Sequence, residues 1–303
     1  MPVDVLCIGH AAYDISASVP AFPAENSKCE IQALEESGGG PAANAAYLLS
    51  RWGVPCAFAG TVGDDDHGRR VRKEFQDAGT DVSLLELRPG HPTPVSLILI
   101  NRRNGSRTLV NRKAPGSPFR IDAAAAAALS PAVLLLDGHE LPASLAALEA
   151  CPRAVSILDA GSWRDGTAGL AGRVGWLVAS ERFAGQATGL AGLGGEADRR
   201  EAVRRLRERY ANRVVVTLGE HGLIADDGSG FLHVPAFPAA AVDTTAAGDI
   251  FHGAFAHAVL RKLSFPDALR FASMTASLSV RKAGGRGSIP SLAEVREALT
   301  HAG

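Results

Sequence analysis

The sequence of 303 residues contains only four cysteines, and no two of them have the C-x-x-C spacing of a redox or metal clip. A chain of this length can bury a large core without disulfide bonds, so we expect reduced thiols and a cytoplasmic location. Residues 1–9 include Asp4 and no basic segment, which is not typical of a signal peptide. No apolar run is long enough to span a bilayer, and the net charge is only −1, so we expect neither a membrane nor a nucleic acid as partner.

Two common nucleotide-binding motifs are also missing. The P-loop pattern G-x-x-x-x-G-K-[ST] occurs nowhere in the chain. The first predicted strand, residues 3–8, is followed by GHAAYD rather than by the dinucleotide fingerprint G-x-G-x-x-G. A nucleotide would therefore have to be bound in another way.

Apolar runs that alternate with helical segments predict a doubly wound α/β fold, with a mostly parallel sheet flanked by helices. We assign residues 1–11, 37–89 and 113–303 to this domain. Two β-rich stretches, 12–36 and 90–112, interrupt the alternation and predict a small β-sheet lid over one end. The first would contain strands at 15–19 and 29–34. The second would be a hairpin that turns at the Asn-Gly of residues 103–106.

The most informative segment is DTTAAGDIFHGAF, residues 243–255. Small residues precede a predicted helix, whose first N–H groups and positive dipole form a ready anion site. Asp249 lies in the first helical turn, where it could act as an N-terminal cap. A carboxylate beside a phosphate cradle could equally accept the proton of an attacking hydroxyl. The spacing alone leaves both roles open.

Four other segments fall where predicted strands end, which is where ligands of parallel sheets bind. Gly38–Asn44 combines glycines, which permit close approach of a substrate, with an amide in the first turn of a helix. Asp14 follows the first strand and could be an ordinary surface residue. The glycine-containing loops 217–222 and 280–290 are weak signals when each is taken alone.

Together these segments resemble the ribokinase, or PfkB, carbohydrate kinase family over essentially the whole chain. GGGPAANAAYLLSRWG with AGTVGDDDHG resembles the N-terminal signature of that family, and DTTAAGDIFHGAF resembles the C-terminal one. The resemblance implies an ATP- and Mg²⁺-dependent kinase that phosphorylates a sugar hydroxyl, with a homodimer formed through the lid. GGGPAA, DIFHGAF and AGGRGSIP are most similar to ketohexokinase-like and sulfofructose-kinase-like members.

The resemblance also implies roles for individual residues. Asp249 would be the general base, and the backbone of Ala246, Ala247 and Gly248 the anion hole. The sugar hydroxyls would be held by Asp14, Gly39, Gly40 and Asn44, and the nucleotide by Thr217, Gly219, Gly222 and Ser279. A monovalent cation, K⁺, would be bound by Asp243, Thr245, Val280, Ala283, Gly285 and Ser288, mostly through carbonyls.

The sequence departs from the family at its usual N-x-x-E motif, whose glutamate helps to organise Mg²⁺ and phosphates. Here Ser180 replaces the asparagine and Phe183 replaces the glutamate. We expect Glu181 to substitute. The departure concerns the geometry of metal and phosphate, not the class of reaction.

The sequence says least about the substrate. The predicted hairpin is basic, and strand alternation puts Arg107, Leu109 and Asn111 on one face and Arg112 on the other. Arg107 or Arg112, with Asn111 and with His139 from another strand end, could contact an anionic or hydroxylated sugar, or could be ordinary surface residues. We expect a ketose or related sugar. A nucleoside kinase and a non-catalytic sugar-binding protein remain as alternatives.

Overall fold

The computed structural model describes residues 2–113 and 116–302, which form an α/β domain with two sheets. The strands are β1 (Val5–Ile8), β2 (Ala12–Val19), β3 (Glu35–Gly39), β4 (Cys56–Gly63), β5 (Asp81–Arg88), β6 (Val95–Asn101), β7 (Arg107–Arg112), β8 (Val133–Leu136), β9 (Val155–Ala160), β10 (Trp176–Ser180), β11 (Arg213–Thr217), β12 (Leu223–Asp226) and β13 (Phe231–Val234). The helices are α1 (Pro41–Arg51), α2 (Asp66–Ala78), α3 (Ala123–Ala128), α4 (Leu141–Ala150), α5 (Asp165–Ala171), α6 (Glu181–Thr188), α7 (Glu196–Tyr210), α8 (Ala247–Leu260), α9 (Phe265–Ser279) and α10 (Leu292–His301).

The large sheet has the strand order β13-β12-β11-β10-β9-β8-β1-β4-β5. The seven neighbouring strands β11-β10-β9-β8-β1-β4-β5 pair in parallel, and β12 and β13 add an antiparallel edge beside β11. From β1 the chain first adds β4 and β5 on one side and later adds β8 on the other. The switch point therefore lies between β1 and β8, and the predicted doubly wound fold is confirmed.

Helices cover both faces of this sheet because its central strands are apolar on both sides. In β1, Val5 and Cys7 pack into a core shared with α1, α2, α8, α9 and α10. Leu6 and Ile8, which point the opposite way, pack into a second core shared with α3 to α7. The molecule is thus a three-layer α/β/α structure.

The small sheet has the order β3-β2-β6-β7. Its β6–β7 hairpin confirms the turn that the Asn-Gly signal predicts, and β6 pairs in parallel with β2. The strand predicted at 29–34 is wrong, since the partner of β2 is β3, which runs three residues past the predicted boundary at 36. The glycines at the end of β3 have a steric reason: a Cβ at Gly39 would lie 2.0 Å from Oδ2 of Asp14, and one at Gly38 would lie 2.2 Å from Nη1 of Arg286.

Small residues bring α1 and α8 unusually close together. Both helices are alanine-rich on their buried faces, and a Cβ at Gly253 of α8 would lie 3.1 Å from the Cα of Ala45 in α1. This close packing positions the first turns of the two helices side by side. It thereby fixes the distance between the side chains that those turns carry.

We expect Gly253→Val to destabilise the protein by about 1–3 kcal/mol, because the added methyl groups overpack the α1–α8 contact. Turnover should fall further than the loss of folded protein explains, because the first turns of the two helices would separate. The matched control is Ala147→Val in α4, which overpacks the opposite core. Urea unfolding and kcat should be measured for both variants, and a control that lost as much kcat as Gly253→Val would contradict the prediction.

Candidate active site

A cavity of about 740 Å³ lies at the switch point, between the carboxyl ends of the parallel strands and the inner face of the small sheet. It brings together side chains that are far apart in the sequence. Of the residues predicted from the sequence, thirteen line it: Asp14, Gly40, Asn44, Arg107, Asn111, Arg112, His139, Ser180, Thr217, Thr245, Ala246, Gly248 and Asp249.

Asp249 lies in the first turn of α8, with its carboxylate in the cavity. It is not the N-cap of the helix, a position taken by Ala246, so the capping role that the sequence left open is not observed. Nδ2 of Asn44 in α1 donates a hydrogen bond to Oδ2 of Asp249 (2.8 Å). Burial and the nearby charge of Asp159 raise the pKa of Asp249 to about 7, opposed by the Asn44 hydrogen bond.

Asp159 and His252 lie behind Asp249 and were not singled out by the sequence. Nδ1 of His252 lies 3.3 Å from Oδ2 of Asp159 and 2.6 Å from the carbonyl oxygen of Gly248, and its Nε2 lies 3.2 Å from the carbonyl oxygen of Val178. Both ring nitrogens of His252 therefore lie close to oxygen atoms that can accept a hydrogen bond. Burial raises the pKa of the Asp159 carboxyl, and the charge of His252 opposes this.

The start of α8 has the geometry of an anion site. Ala246 adopts a left-handed conformation (φ 59°) as the N-cap, a strained position for a residue with a Cβ. The helix then runs through 14 residues from Ala247, so its first N–H groups and its dipole point towards the cavity. Ala246 and Gly248 line the cavity, which allows a bound phosphoryl group to approach the backbone.

The α1 side of the cavity carries Asp14, Gly40 and Asn44. Burial raises the pKa of the Asp14 carboxyl, opposed by a hydrogen bond to Ser96 and by the charge of Arg286. Gly40 has φ 103°, a conformation that favours glycine, and it passes within contact distance of the carbonyl oxygen of His10. Gly39 lies against Asp14 and supports it, but does not itself line the cavity.

Asp137 ties the ends of β1 and β8 to α1. Its Oδ2 accepts hydrogen bonds from the backbone N–H groups of His10 (2.8 Å) and Ala42 (3.2 Å), and its Oδ1 accepts one from His139 (2.9 Å). The ring of His10 stacks on the ring of His139 at 4.6 Å, and burial lowers the pKa of His10 to about 4. Burial also lowers the pKa of His139, against which the guanidinium of Arg164 packs.

The small sheet closes the cavity with the face that the alternation predicts. Arg107, Leu109 and Asn111 all line the cavity, and Nη1 of Arg107 donates to Oγ1 of Thr244 (2.8 Å) just before α8. Arg112, at the end of β7, reaches the rim as well, where its Nη2 donates to the carbonyl oxygen of Thr93 (2.8 Å).

The predicted nucleotide residues are only partly brought together. Ser180 and Thr217 line the cavity, whereas Glu181 turns away from it and accepts a hydrogen bond from the N–H of Leu193 (3.3 Å). Phe183 is fully buried and packs on Trp163. The remaining predicted residues lie off the cavity wall: Gly219, Gly222 and Ser279.

Two of those residues have clear structural roles. A Cβ at Gly222, where φ is 84°, would lie 2.1 Å from the carbonyl oxygen of Val234, so the turn into β12 itself requires glycine. The hydroxyl of Ser279 is buried and donates to the carbonyl oxygen of Ala276 (2.8 Å).

The loops predicted to hold a cation do lie side by side. The buried carboxylate of Asp243 accepts from N and Oγ1 of Thr245 and, through its other oxygen, from the N–H of Gly284 (2.9 Å). The carbonyl oxygen of Val280 accepts from the N–H groups of residues 242 and 243, and Oγ of Ser288 donates to the carbonyl oxygen of Gly285 (2.9 Å). Ala283 is half-buried in the same loop.

Over residues 2–113 and 116–302, no group of three or more His, Cys, Asp or Glu side chains is arranged to hold a metal ion. In the same part of the chain, no helix is both long and apolar enough to cross a membrane.

Sequence reasoning missed Asp137, Asp159, His252 and Arg164, although a signal for the first two was present. Each aspartate ends a buried strand run, LLLD in one case and SILD in the other. The rule that ligands bind beyond the carboxyl ends of parallel strands applies to both. His252 carried no such signal, because it reaches the site from the second turn of a helix.

The fold and the cleft are those of a ribokinase-like sugar or nucleoside kinase, and comparisons with known proteins agree. Residues 3–292 match the pfkB family of carbohydrate kinases, so the chain belongs to this family and is a phosphotransferase. Ribokinase from Haemophilus influenzae is 27% identical over 306 residues, which cover 97% of this chain and 98% of that protein. A nucleoside kinase from Methanothermobacter thermautotrophicus is also 27% identical, over 98% of this chain and 96% of its own length.

The solved structures give the same picture. The crystal structure of a putative ribokinase from Agrobacterium tumefaciens has a TM-score of 0.89 and 28% sequence identity, and it covers 100% of this chain and 99% of its own. The predicted fold and family are therefore confirmed.

The charge arrangement predicts how Asp249 titrates. We expect its side-chain carboxyl to titrate near pH 7, and we expect Asp159→Asn to lower that pKa because it removes the neighbouring like charge. A ¹³C NMR titration of the labelled aspartates measures both. Asp165→Asn is the control, since Asp165 is exposed at the start of α5 and outside the cavity. An unchanged Asp249 pKa in Asp159→Asn would contradict the assignment.

Proposed function

We propose that this protein transfers the γ-phosphoryl group of ATP to a hydroxyl of a small sugar, with Asp249 as the general base. One observation carries the proposal: a half-buried carboxylate lies in the first turn of α8, in the cavity at the switch point, with a pKa raised to about 7. A base with that pKa is half ionised at neutral pH and can both accept and release a proton there.

The geometry supports a direct transfer. The sugar hydroxyl would lie between Asp249 and the start of α8, where Asp249 accepts its proton as the oxygen attacks phosphorus. The backbone at residues 246–248 would stabilise the charge on the transferring group, which is the main requirement of phosphoryl transfer. Asn44, hydrogen-bonded to Asp249, would hold the base in place, and Asp14 would accept hydrogen bonds from other hydroxyls.

ATP would lie along the ends of β10 and β11, where Ser180 and Thr217 line the cavity. Mg²⁺ usually takes most of its ligands from phosphate oxygens and water, with one or two carboxylates. Because Glu181 is engaged with Leu193 and Phe183 is buried, Asp159 is the cavity carboxylate left on this side to face the Mg²⁺–ATP complex. When bound, the ion would neutralise charge on the phosphates.

We propose the loops at 243–245 and 280–288 as the site of a monovalent cation. The donor set consists of oxygens only, which suits K⁺, and hydrogen bonds through Asp243 hold the two loops together. Several of these oxygens already accept hydrogen bonds from the protein, so the ion would use their remaining lone pairs. A cation there would add positive charge beside the start of α8.

The acceptor is a ketose or another free sugar of similar size, such as ribose. Among the described residues that line the cavity there is no Phe, Tyr or Trp on which a nucleobase could stack. This counts against a nucleoside. The full-length likeness to a nucleoside kinase keeps that substrate as the second candidate.

A substrate panel tests the function. ADP release should be measured with ribose, other aldoses, ketoses, sulfosugars and nucleosides, for the wild type and for Asp249→Asn. We expect a free sugar to give the highest kcat/KM. Asp249→Asn should lower kcat on the order of 10³-fold or more while nucleotide binding persists, because only the proton acceptor is lost. Turnover in Asp249→Asn near that of the wild type would refute the role of Asp249.

We propose that the small sheet acts as a lid over the bound sugar. The predicted lid segments are 12–36 and 90–112. Because β3 ends at Gly39, the first of them would run to residue 39 rather than 36. Near its tip, the carbonyl oxygen of Gly105 accepts hydrogen bonds from N (3.3 Å) and Oγ1 (3.1 Å) of Thr244, and Arg107 donates to the same Oγ1. These hydrogen bonds hold the lid beside the start of α8.

We also propose a cytoplasmic location, which the four free cysteines support.

We propose a homodimer formed through the outer face of the lid. Leu97 and Val110 are directly opposed there and are 51% and 65% exposed, which is unusual for paired apolar residues in a monomer. Light scattering after size exclusion should give twice the chain mass for the wild type and the monomer mass for Val110→Glu. Thr300→Glu, at an exposed position of α10 outside the lid, is the control for added charge, and a monomeric wild type would refute the proposal.

A further inference from the structure

Arg286 is a buried cation that the function proposed above does not use. It lies in the loop after α9, is 6% exposed, and is absent from the cavity wall. Its guanidinium is held between the rings of Tyr47 and Phe75, with centroids at 4.7 and 4.8 Å. A buried arginine is costly unless its charge and donors are used, so its partners indicate its purpose.

The charge of Arg286 is balanced by one residue of α2. Nη1 of Arg286 donates to Oε2 of Glu74 (2.7 Å), whose two carboxylate oxygens also accept from the N–H of Gly38 in β3. This arrangement fixes the guanidinium plane from one side. Its Nη2 has no hydrogen-bond partner among the described residues, and its Nε is directed towards α1.

In that direction Nε of Arg286 donates to Oδ1 of Asn44 (3.3 Å). An asparagine amide has one accepting oxygen and one donating nitrogen, so a cationic donor at the oxygen determines which end faces the opposite way. The nitrogen then points at Asp249, to which it donates (2.8 Å). The flipped amide would place N–H against N–H at Arg286 and oxygen against carboxylate at Asp249, which are two repulsive contacts.

We propose that Arg286 is a positioning residue for Asp249, acting through Asn44. It never touches the reacting atoms, but it locks the amide that holds the carboxylate and supplies it with a hydrogen-bond donor. The relay Glu74–Arg286–Asn44–Asp249 joins α2, the 280–290 loop, α1 and α8. The inference rests on the proposed function only in treating Asp249 as the base, since the relay itself is a property of the folded chain.

Other charged groups also face Asp249, so the test must separate them from the relay. Asp159 of β9 raises the pKa of Asp249, whereas His252 of α8 and Arg107 of β7 lower it. Around Arg286 the charged and titratable groups are Glu74, Tyr47 and Asp14. None of these groups joins Arg286 to Asp249; among the described residues, the hydrogen-bonded link between the two is Asn44.

A double-mutant cycle tests the relay. We expect Arg286→Gln to lower kcat at pH 7 roughly tenfold and to move the acidic limb of the kcat profile upward by roughly half a pH unit to one unit, because Asp249 loses a donor that favours its charged form. In the Asn44→Ala background, Arg286→Gln should add almost nothing to either effect. Additive losses of kcat with an unmoved acidic limb would assign Arg286 a purely structural role and overturn the proposal.

Matched variants separate positioning from stability. Arg286→Met combined with Glu74→Gln removes both charges while the glutamine oxygen can still accept from Gly38, so this protein should fold even if Arg286→Gln does not. This double variant should show the same upward shift in the acidic limb of the kcat profile. Val295→Ala, in the buried face of α10 outside the relay, should lower the midpoint of unfolding without moving the limb. A normal limb in the folded double variant would also overturn the proposal.

An NMR titration distinguishes failure of this inference from failure of the proposed function. The Asp249 carboxyl should titrate at higher pH in Arg286→Gln than in the wild type, whether or not Asp249 acts as the base. If Asp249→Asn stays active while this shift is present, the base assignment fails and the relay stands. If Asp249→Asn is inactive and the shift is absent, the relay fails and the base assignment stands.

Discussion

The close contact of α1 and α8 is the constraint on which the site depends. Two helices can place their first turns within hydrogen-bonding distance only if the residues between them are small, and here Gly253 meets the backbone of Ala45. The hydrogen bond between Asn44 and Asp249 is a direct consequence, since each residue lies near the start of its helix. The helix starts also direct their positive dipole ends into the same cavity, so the positive potential there and the placement of the Asp249 carboxylate have one structural origin.

Several carboxylates are buried in one cleft. Burial raises their pKa values, and neighbouring charges and hydrogen-bond donors oppose that rise. Burial raises the cost of ionising Asp159 and Asp249, and a neighbouring like charge adds to it: Asp137 for Asp159, and Asp159 for Asp249. His252 lies beside Asp159, and Asn44 donates to Asp249, so each carboxylate has its own compensating partner. The result is an Asp249 carboxyl that can be protonated near neutral pH and is held in its orientation by Asn44. A fully compensated carboxylate would be too weak a base, and an uncompensated one would be protonated.

The sequence predicted the local features well and the long-range contacts poorly. The parallel sheet and the hairpin at 103–106 follow from periodicity and turn residues, which act over a few positions. The prediction of a strand at 29–34 was wrong, because β2 pairs with the glycine-containing strand β3 instead. The side chains of Asp14 and Arg286 fill the space beside the glycines of β3, and no local pattern shows this. The contacts of Asn44 with Asp249 and Arg286 span 205 and 242 residues, beyond any local pattern.

The departure at the usual N-x-x-E motif has a physical explanation in the packing around α6. Phe183 is fully buried against Trp163 in the second core, so the position belongs to that core rather than to the cavity. A glutamate there would bring an unpaired charge into an apolar layer, unless α6 rotated or moved. Ser180 keeps its place at the cavity wall while its hydroxyl caps α6 and donates to the carbonyl oxygen of Gly161. Under the proposed function, the carboxylate that faces the phosphates would come from the end of β9, where Asp159 lies in the cavity beside the imidazole of His252. With Phe183 in the core, that neighbouring strand end would be the more important one, which would offset the cost of burying Asp159.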